Sequence, residues 1–150
     1  MSLLDEPLAQ LQDALDMGGL QAALRYLNRR TPYRYSGIYR LDGQVMHKVA
    51  LYDRQGEYPE FLSAVPLGDS FCQFVRRDQP FQTHDSAHDE RLDGHPYQGI
   101  LNAYFGMALS RKPGTLYGTF CHFDTAPMAL DEREIALLEA ASGLLLQHLD

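Results

Sequence analysis

Two runs rich in aromatic and β-branched residues, YRYSGIYRL (33–41) and QVMHKVALY (44–52), flank the dipeptide Asp42-Gly43. Asp-Gly between such runs is the strongest short signal for an antiparallel hairpin, because the turn that matches strand twist needs residues tolerant of positive φ. Two strands alone are marginal in water, so this hairpin must find further strands or helices for its apolar face. The flanking sequence supplies both. Leu4, Leu8, Leu11 and Leu15 recur at spacings of four, three and four, which places them on one helical stripe. Gly18-Gly19 breaks that helix. A second helix follows, with Leu20, Ala23, Leu24 and Leu27 on one face, and stops before Thr31-Pro32.

Beyond the hairpin, FLSAVPL (61–67) reads as a short strand. DSFCQFVRRDQ (69–79) carries Phe71, Phe74 and Val75 at helical spacing, with Asp69 or Ser70 as N-cap and Pro80 past its end. PFQTHD reads as a brief strand. NAYFGMALS (102–110) and TLYGTFCHFD (115–124) read as strands joined by the turn residues Lys112-Pro113-Gly114. A closing helix starts at Asp131, with Glu134 placed as in a capping box and Ile135, Leu138, Leu145 and Leu149 on its apolar face. This order predicts a mixed α/β (α+β) domain: an antiparallel sheet with the terminal helices on one face. With no repeat and no linker, residues 1–150 form a single domain. Its first helix, within 1–17, is a candidate for pairing with a second copy.

Hydrophobic residues make up 45% of the 150-residue chain and charged residues 22%, enough for a core without staples. With 13 basic and 20 acidic residues the net charge is −7, which argues against a basic face for nucleic acid. The start, MSLLDEPLAQLQDALD, has acids where a signal peptide needs positive charge, and apolar stretches such as LLEAASGLLL are too short to span a membrane. The two cysteines, Cys72 and Cys121, sit in apolar segments and read as buried free thiols of a reducing, cytoplasmic compartment.

The most chemical stretch is HDSAHDERLDGH (84–95). His84, His88 and His95 offer imidazoles, and Asp85, Asp89 and Asp93 offer carboxylates, the donor types of a metal site. Ser86, Asp89, Asp93-Gly94 and Pro96 are turn formers, and a structural job suffices for the acids: capping turn N–H groups and pairing with Arg91. No metal is expected.

Taken in order, several stretches resemble the GAF domain family, from about Leu20 to Leu149. YSGIYRLDGQVMHKVA resembles that family's first hairpin, and VPLGDSFCQFVRRDQPFQTHD resembles its short-helix segment. DSAHDERLDGHP resembles its D-x-x-x-D-x-R-(F/L) pattern followed by proline. NAYFGMALS and YGTFCHFDTAPMALDEREIALLEA resemble its last two strands and closing helix. The resemblance implies a central six-stranded antiparallel sheet, N- and C-terminal helices on one face, and a pocket covered by loops and short helices on the other. It also implies that Phe71, Cys72, Phe81, Tyr97, Tyr104 and Phe105 line the pocket, with His84 and Asp85 at its rim.

The implied function is a bacterial-type sensory or regulatory domain of signal transduction. It binds an unidentified small molecule and acts on a partner in trans, as a homodimer through its terminal helices. The alternative is a ligand-free dimerisation or interaction module. A further alternative is a thiol redox sensor or an enzyme like the free methionine-R-sulfoxide reductases of this family. Cys72 falls near one of that subgroup's cysteines. The subgroup's nucleophile, however, lies before the fifth strand, where this chain reads HPYQGILNAY with no cysteine. An enzyme is therefore not expected. Cys121-His122 resembles a bilin-attachment pair but lies in a strand rather than before the fifth one, and no copy of the cyclic-nucleotide residue set is present. Neither bilin, haem nor cyclic nucleotide is expected.

Overall fold

The computed structural model describes residues 3–58, 64–66, 71–75, 80–111 and 116–149. Helix α1 spans Asp5–Arg29 and is kinked where Gly19 leaves helical geometry at φ 69° and ψ −155°. Glycine adopts that conformation with no Cβ penalty, which is why the Gly18-Gly19 pair interrupts the helix. The remaining elements are β1 (Tyr35–Asp42), β2 (Val45–Asp53), β3 (Ala64–Pro66), β4 (Phe81–Thr83), β5 (Ala103–Leu109), β6 (Gly118–Asp124) and helix α2 (Glu132–Leu146). The strands lie in the order β3-β2-β1-β6-β5-β4, each antiparallel to its neighbours. The edge strands β3 and β4 have three residues each, so the four longer strands carry the sheet.

Several expectations shift on contact with the structure. Asp42 pairs with Val45, so the hairpin loop is Gly43-Gln44, one residue later than the Asp-Gly signal suggests, with Gly43 at φ 62°. The segment read as an α-helix over 69–79 is described only over 71–75, where Phe71–Phe74 form a 3-10 turn. Asp69, Ser70 and the Lys112-Pro113-Gly114 turn lie outside the described residues. Asp131 caps α2 by accepting from the Arg133 N–H at 2.8 Å. Glu134 does not close the capping box; its carboxylate takes Arg30 of α1 instead, with Nη2 to Oε1 at 2.8 Å and Nε to Oε2 at 3.0 Å.

Both helices pack on one face of the sheet. Leu11, Leu15, Ala23, Leu24 and Leu27 of α1 meet Leu137, Leu138, Ala141 and Leu145 of α2 over Ile38, Phe105 and Phe120. The α1 leucine stripe is thus used by the protein's own core: Leu11 and Leu15 are buried, with Leu4 and Leu8 packed at the margin. Leu4 and Leu8 are the members of the stripe left half-buried. The end of α1 is tied to the hairpin by Arg54, which donates to the carbonyls of Asn28 at 2.9 Å and Thr31 at 2.7 Å. These carbonyls belong to the chain leaving the helix, where intrahelical donors run out.

Candidate functional site

Alternation along the inner strands sends every second side chain to the face away from the helices. From β1 these are Tyr35 and Tyr39; from β5, Tyr104; from β6, Thr119, Cys121 and Phe123. In β2 the register shifts opposite Ile38 and Tyr39, so that both Met46 and Leu51 reach this face although they are five positions apart, an odd offset that strict alternation would send to opposite faces. The 3-10 turn adds Phe71, Cys72 and Phe74 above the sheet, and β4 adds Phe81. Leu92, Tyr97 and Leu101 close over it from the segment that leads into β5.

The result is an aromatic cluster with a few polar atoms set into it. Phe71 stands edge-on to Tyr104 with ring centroids 5.5 Å apart, and Phe74 lies 5.0 Å from Phe81. The Tyr104 hydroxyl contacts Cys72 Sγ at 3.2 Å, and the same sulfur lies 3.4 Å from Thr119 Oγ1. Gly106 makes room for this arrangement: a Cβ there would collide with the Tyr104 ring and come within 2.7 Å of Val75. Burial, reinforced by the neighbouring thiols, pushes the Tyr104 hydroxyl well above its ordinary pKa. Burial likewise raises the Cys121 thiol well above its usual value, away from the thiolate that nucleophilic chemistry needs.

His95 is the informative member. Its ring lies 4.6 Å from Phe71, 5.9 Å from Phe74 and 6.2 Å from Tyr97, centroid to centroid. Its Nδ1 accepts the Tyr97 backbone N–H at 3.1 Å, which in the neutral ring leaves the proton on Nε2. That Nε2 is buried and has no hydrogen-bond partner among the described residues. An unmatched donor inside an aromatic wall is costly, and a ligand acceptor placed against it would remove the cost.

Of the residues expected to bind ligand, Phe71, Cys72, Phe81, Tyr97 and Tyr104 are brought together here. Phe105 is not. It points to the opposite face and is fully buried under the helices, because it alternates with Tyr104 along β5. His84 and Asp85 lie apart from the cluster, in a surface cleft of about 490 Å³ that they share with His88, Asp89 and Arg91. His84 is exposed, and Asp85 pairs with His88 Nδ1 at 2.8 Å instead of capping the turn that follows it. Asp89 and Arg91 do hold the turn: Asp89 accepts from the Arg91 N–H at 3.1 Å and from its Nη2 at 2.6 Å. Arg91 holds the Asp89 carboxyl at about 2 and also donates to the Gln82 carbonyl at 2.8 Å. Among the described residues no group of three or more His, Cys, Asp or Glu is placed to hold a metal ion.

Tyr39 and Thr119 join the site without having been among its candidates, and of the loop histidines whose direction the residues leave open, His95 turns inward. Carrying the period of two from Cys121 back along TLYGTFCHFD would have found Thr119. No local signal separates His95 from the exposed His84.

Helices on one face of an antiparallel sheet, and an aromatic cluster under short turns on the other, define a GAF-like fold. No family model matches the sequence, and no curated protein does. Among solved structures, the chain is similar to the GAF domain of the Acinetobacter phosphoenolpyruvate-protein phosphotransferase. The TM-score is 0.74 at 17% identity, over 97% of this chain and 92% of that one. It is as similar to the free methionine-R-sulfoxide reductase of Neisseria meningitidis in complex with its substrate, with TM-score 0.74, 15% identity, and 97% and 87% of the two chains covered. The GAF domain of a Coxiella burnetii phosphoenolpyruvate-protein phosphotransferase follows, with TM-score 0.72, 14% identity, and coverage of 97% and 92%. At such identities the likeness establishes the fold, and this fold hosts both enzymes and regulatory domains. No described helix is long and apolar enough to cross a membrane.

Proposed function

We propose that the protein is a small-molecule-binding regulatory domain whose ligand sits against the aromatic cluster and offers a hydrogen-bond acceptor to His95 Nε2. The observation that carries this reading is that unpartnered, buried N–H, ringed by Phe71, Phe74 and Tyr97. Apolar walls with few polar anchors are the usual composition of such sites. Occupancy would shift the population of conformers, and the α1–α2 layer would report it to a partner or to a second copy of the chain. Leu3 and Met17, 92% and 90% exposed, are large apolar side chains that such a contact would cover.

The test is native mass spectrometry for a retained small molecule, followed by thermal melts against a metabolite panel with His95→Phe alongside. Phenylalanine keeps the ring packing and removes the N–H. The expected result is a stabilising compound whose effect disappears in the variant. A protein that retains nothing and responds to no compound would leave the interaction-module reading in its place.

The similarity to an enzyme supports a second reading, reduction of free methionine-R-sulfoxide, with Cys72 as the candidate thiol. Turnover of that substrate with a dithiol reductant, abolished by Cys72→Ser, would establish it.

A further inference from the structure

The helix side of the molecule carries a second concavity. The C-terminal half of α1, β2 and the loop after β2 enclose a groove of about 690 Å³, lined by Gln21, Arg25, Arg29, Arg30, Tyr52 and Tyr58 among others. The chain carries a net charge of −7, yet the described residues lining this groove include three arginines and no carboxylate. Its volume is in the range of sites for small organic ligands.

The three arginines differ in what they do. Arg30 is committed: its guanidinium grips Glu134 and lies 5.8 Å from the centre of the Tyr26 ring. Arg25 and Arg29 are exposed, and among the described residues neither side chain has an ion-pair or hydrogen-bond partner. At positions i and i+4 of one helix they face the same way and repel each other. The negative end of the helix dipole explains Arg29, which lies in the last turn of α1. It does not explain Arg25, because that effect fades beyond the last turn.

The opposite wall is built with strain. Tyr58 is the one non-glycine residue with positive φ, 47°, among those described. It is held there by the buried Asp53 carboxylate, which accepts the N–H groups of Gln55, Glu57 and Tyr58 at 2.9–3.0 Å and the Arg34 guanidinium at 2.9 Å. The Tyr58 hydroxyl meets the Gln21 amide at 3.4 Å, and Gln21 is itself anchored on the Leu51 carbonyl at 2.9 Å. Backbone held in a sparsely populated conformation by its surroundings points to a local task.

We propose that this groove is a binding site for a small organic anion. Its phosphate or carboxylate oxygens would be taken by the Arg25 and Arg29 guanidinia, and its body would lie between Tyr52 and Tyr58. Guanidinium is the side-chain group best matched to both oxyanions, since its planar fork donates two parallel hydrogen bonds. The site lies on the face opposite the aromatic cluster and does not depend on a ligand there.

Calorimetric titration of the whole chain at low ionic strength, with phenyl phosphate, citrate and a hepta-glutamate peptide as probes, tests it. At least one of the two small anions is expected to bind saturably and more weakly as salt rises. Arg25→Gln with Arg29→Gln should weaken that binding by about ten-fold or more, since charge-assisted bonds are the strong ones. Arg25→Gln alone serves if the double variant does not fold. Arg40→Gln with Lys48→Gln removes two exposed charges elsewhere and should leave binding nearly unchanged. Absence of saturable binding by both small anions, equal losses in both charge-removal variants, or binding of the peptide alone would each overturn the proposal.

Discussion

The two faces of the sheet are built from the same strands and yet differ in kind. The helix face is roofed by two regular helices and filled with leucine, alanine and isoleucine around Phe105 and Phe120. Its central polar groups run as a chain, Asn28 Nδ2 donating to Ser36 Oγ at 2.9 Å and Ser36 Oγ meeting His122 Nδ1 at 2.6 Å. The other face is roofed by short turns, is rich in aromatic rings, and leaves the His95 donor unmatched. Among the described residues each face keeps a buried polar atom without a partner, Tyr33 Oη under the helices and His95 Nε2 under the short turns, so the difference lies in what covers it: regular helices on one side, turns on the other. The contrast places the aliphatic core under the helices and the aromatic cluster on the other side.

The harshest test of that contrast is a cavity on the helix face. Leu24 is fully buried there, and Leu24→Ala should cost about 2–5 kcal/mol in urea denaturation. A loss of under about 1 kcal/mol would show that this core is loosely packed. Next comes acid sensitivity. Burial, with the Arg54 charge adding to it, pushes His122 down to about 3 from its ordinary 6.5. Below pH 6.5 the unfolded chain takes up a proton that the folded one refuses until about pH 3, so stability falls as pH drops through that window. The slope from this group reaches at most about 1.4 kcal/mol per pH unit, and His122→Gln should flatten it. An unchanged slope would assign the acid sensitivity elsewhere.

A smaller loss, about 1 kcal/mol, is expected for Asp131→Ala, which removes the α2 N-cap but no core contact. Thermal melts of that variant measure how much of the helix roof depends on its ends. The smallest change belongs to the aromatic face. His95→Phe relieves the buried donor but takes the acceptor from the Tyr97 N–H, so the two effects oppose and stability in the absence of ligand should change by no more than about 1 kcal/mol. A large destabilisation would mean that His95 is a structural member of the cluster and would narrow the contrast between the faces.

How far the residues alone led follows the range of the interactions involved. The hairpin, the helix break at Gly18-Gly19 and the Asp131 cap were legible because each is decided by neighbours within a few positions. Phe105 was misplaced for a related reason. β5 is apolar on both sides, so AYFGMAL shows no polar partner to mark which alternate set faces the helices. Glu134 was read as half of a local capping box, while its actual partner, Arg30, is 104 residues away in the chain.

Periodicity, turn chemistry and caps act over a few residues, so the order of the main strands and helices, and an antiparallel sheet flanked by terminal helices, follow from local sequence, although the short turn at Phe71–Phe74 does not. Only the tertiary structure decided which side of each strand met the helices, that His95 and not His84 turned inward, and that Arg25 and Arg29 faced the strained loop at Tyr58. Those outcomes depend on strand register and on contacts between distant segments, which come into being only when the sheet has closed.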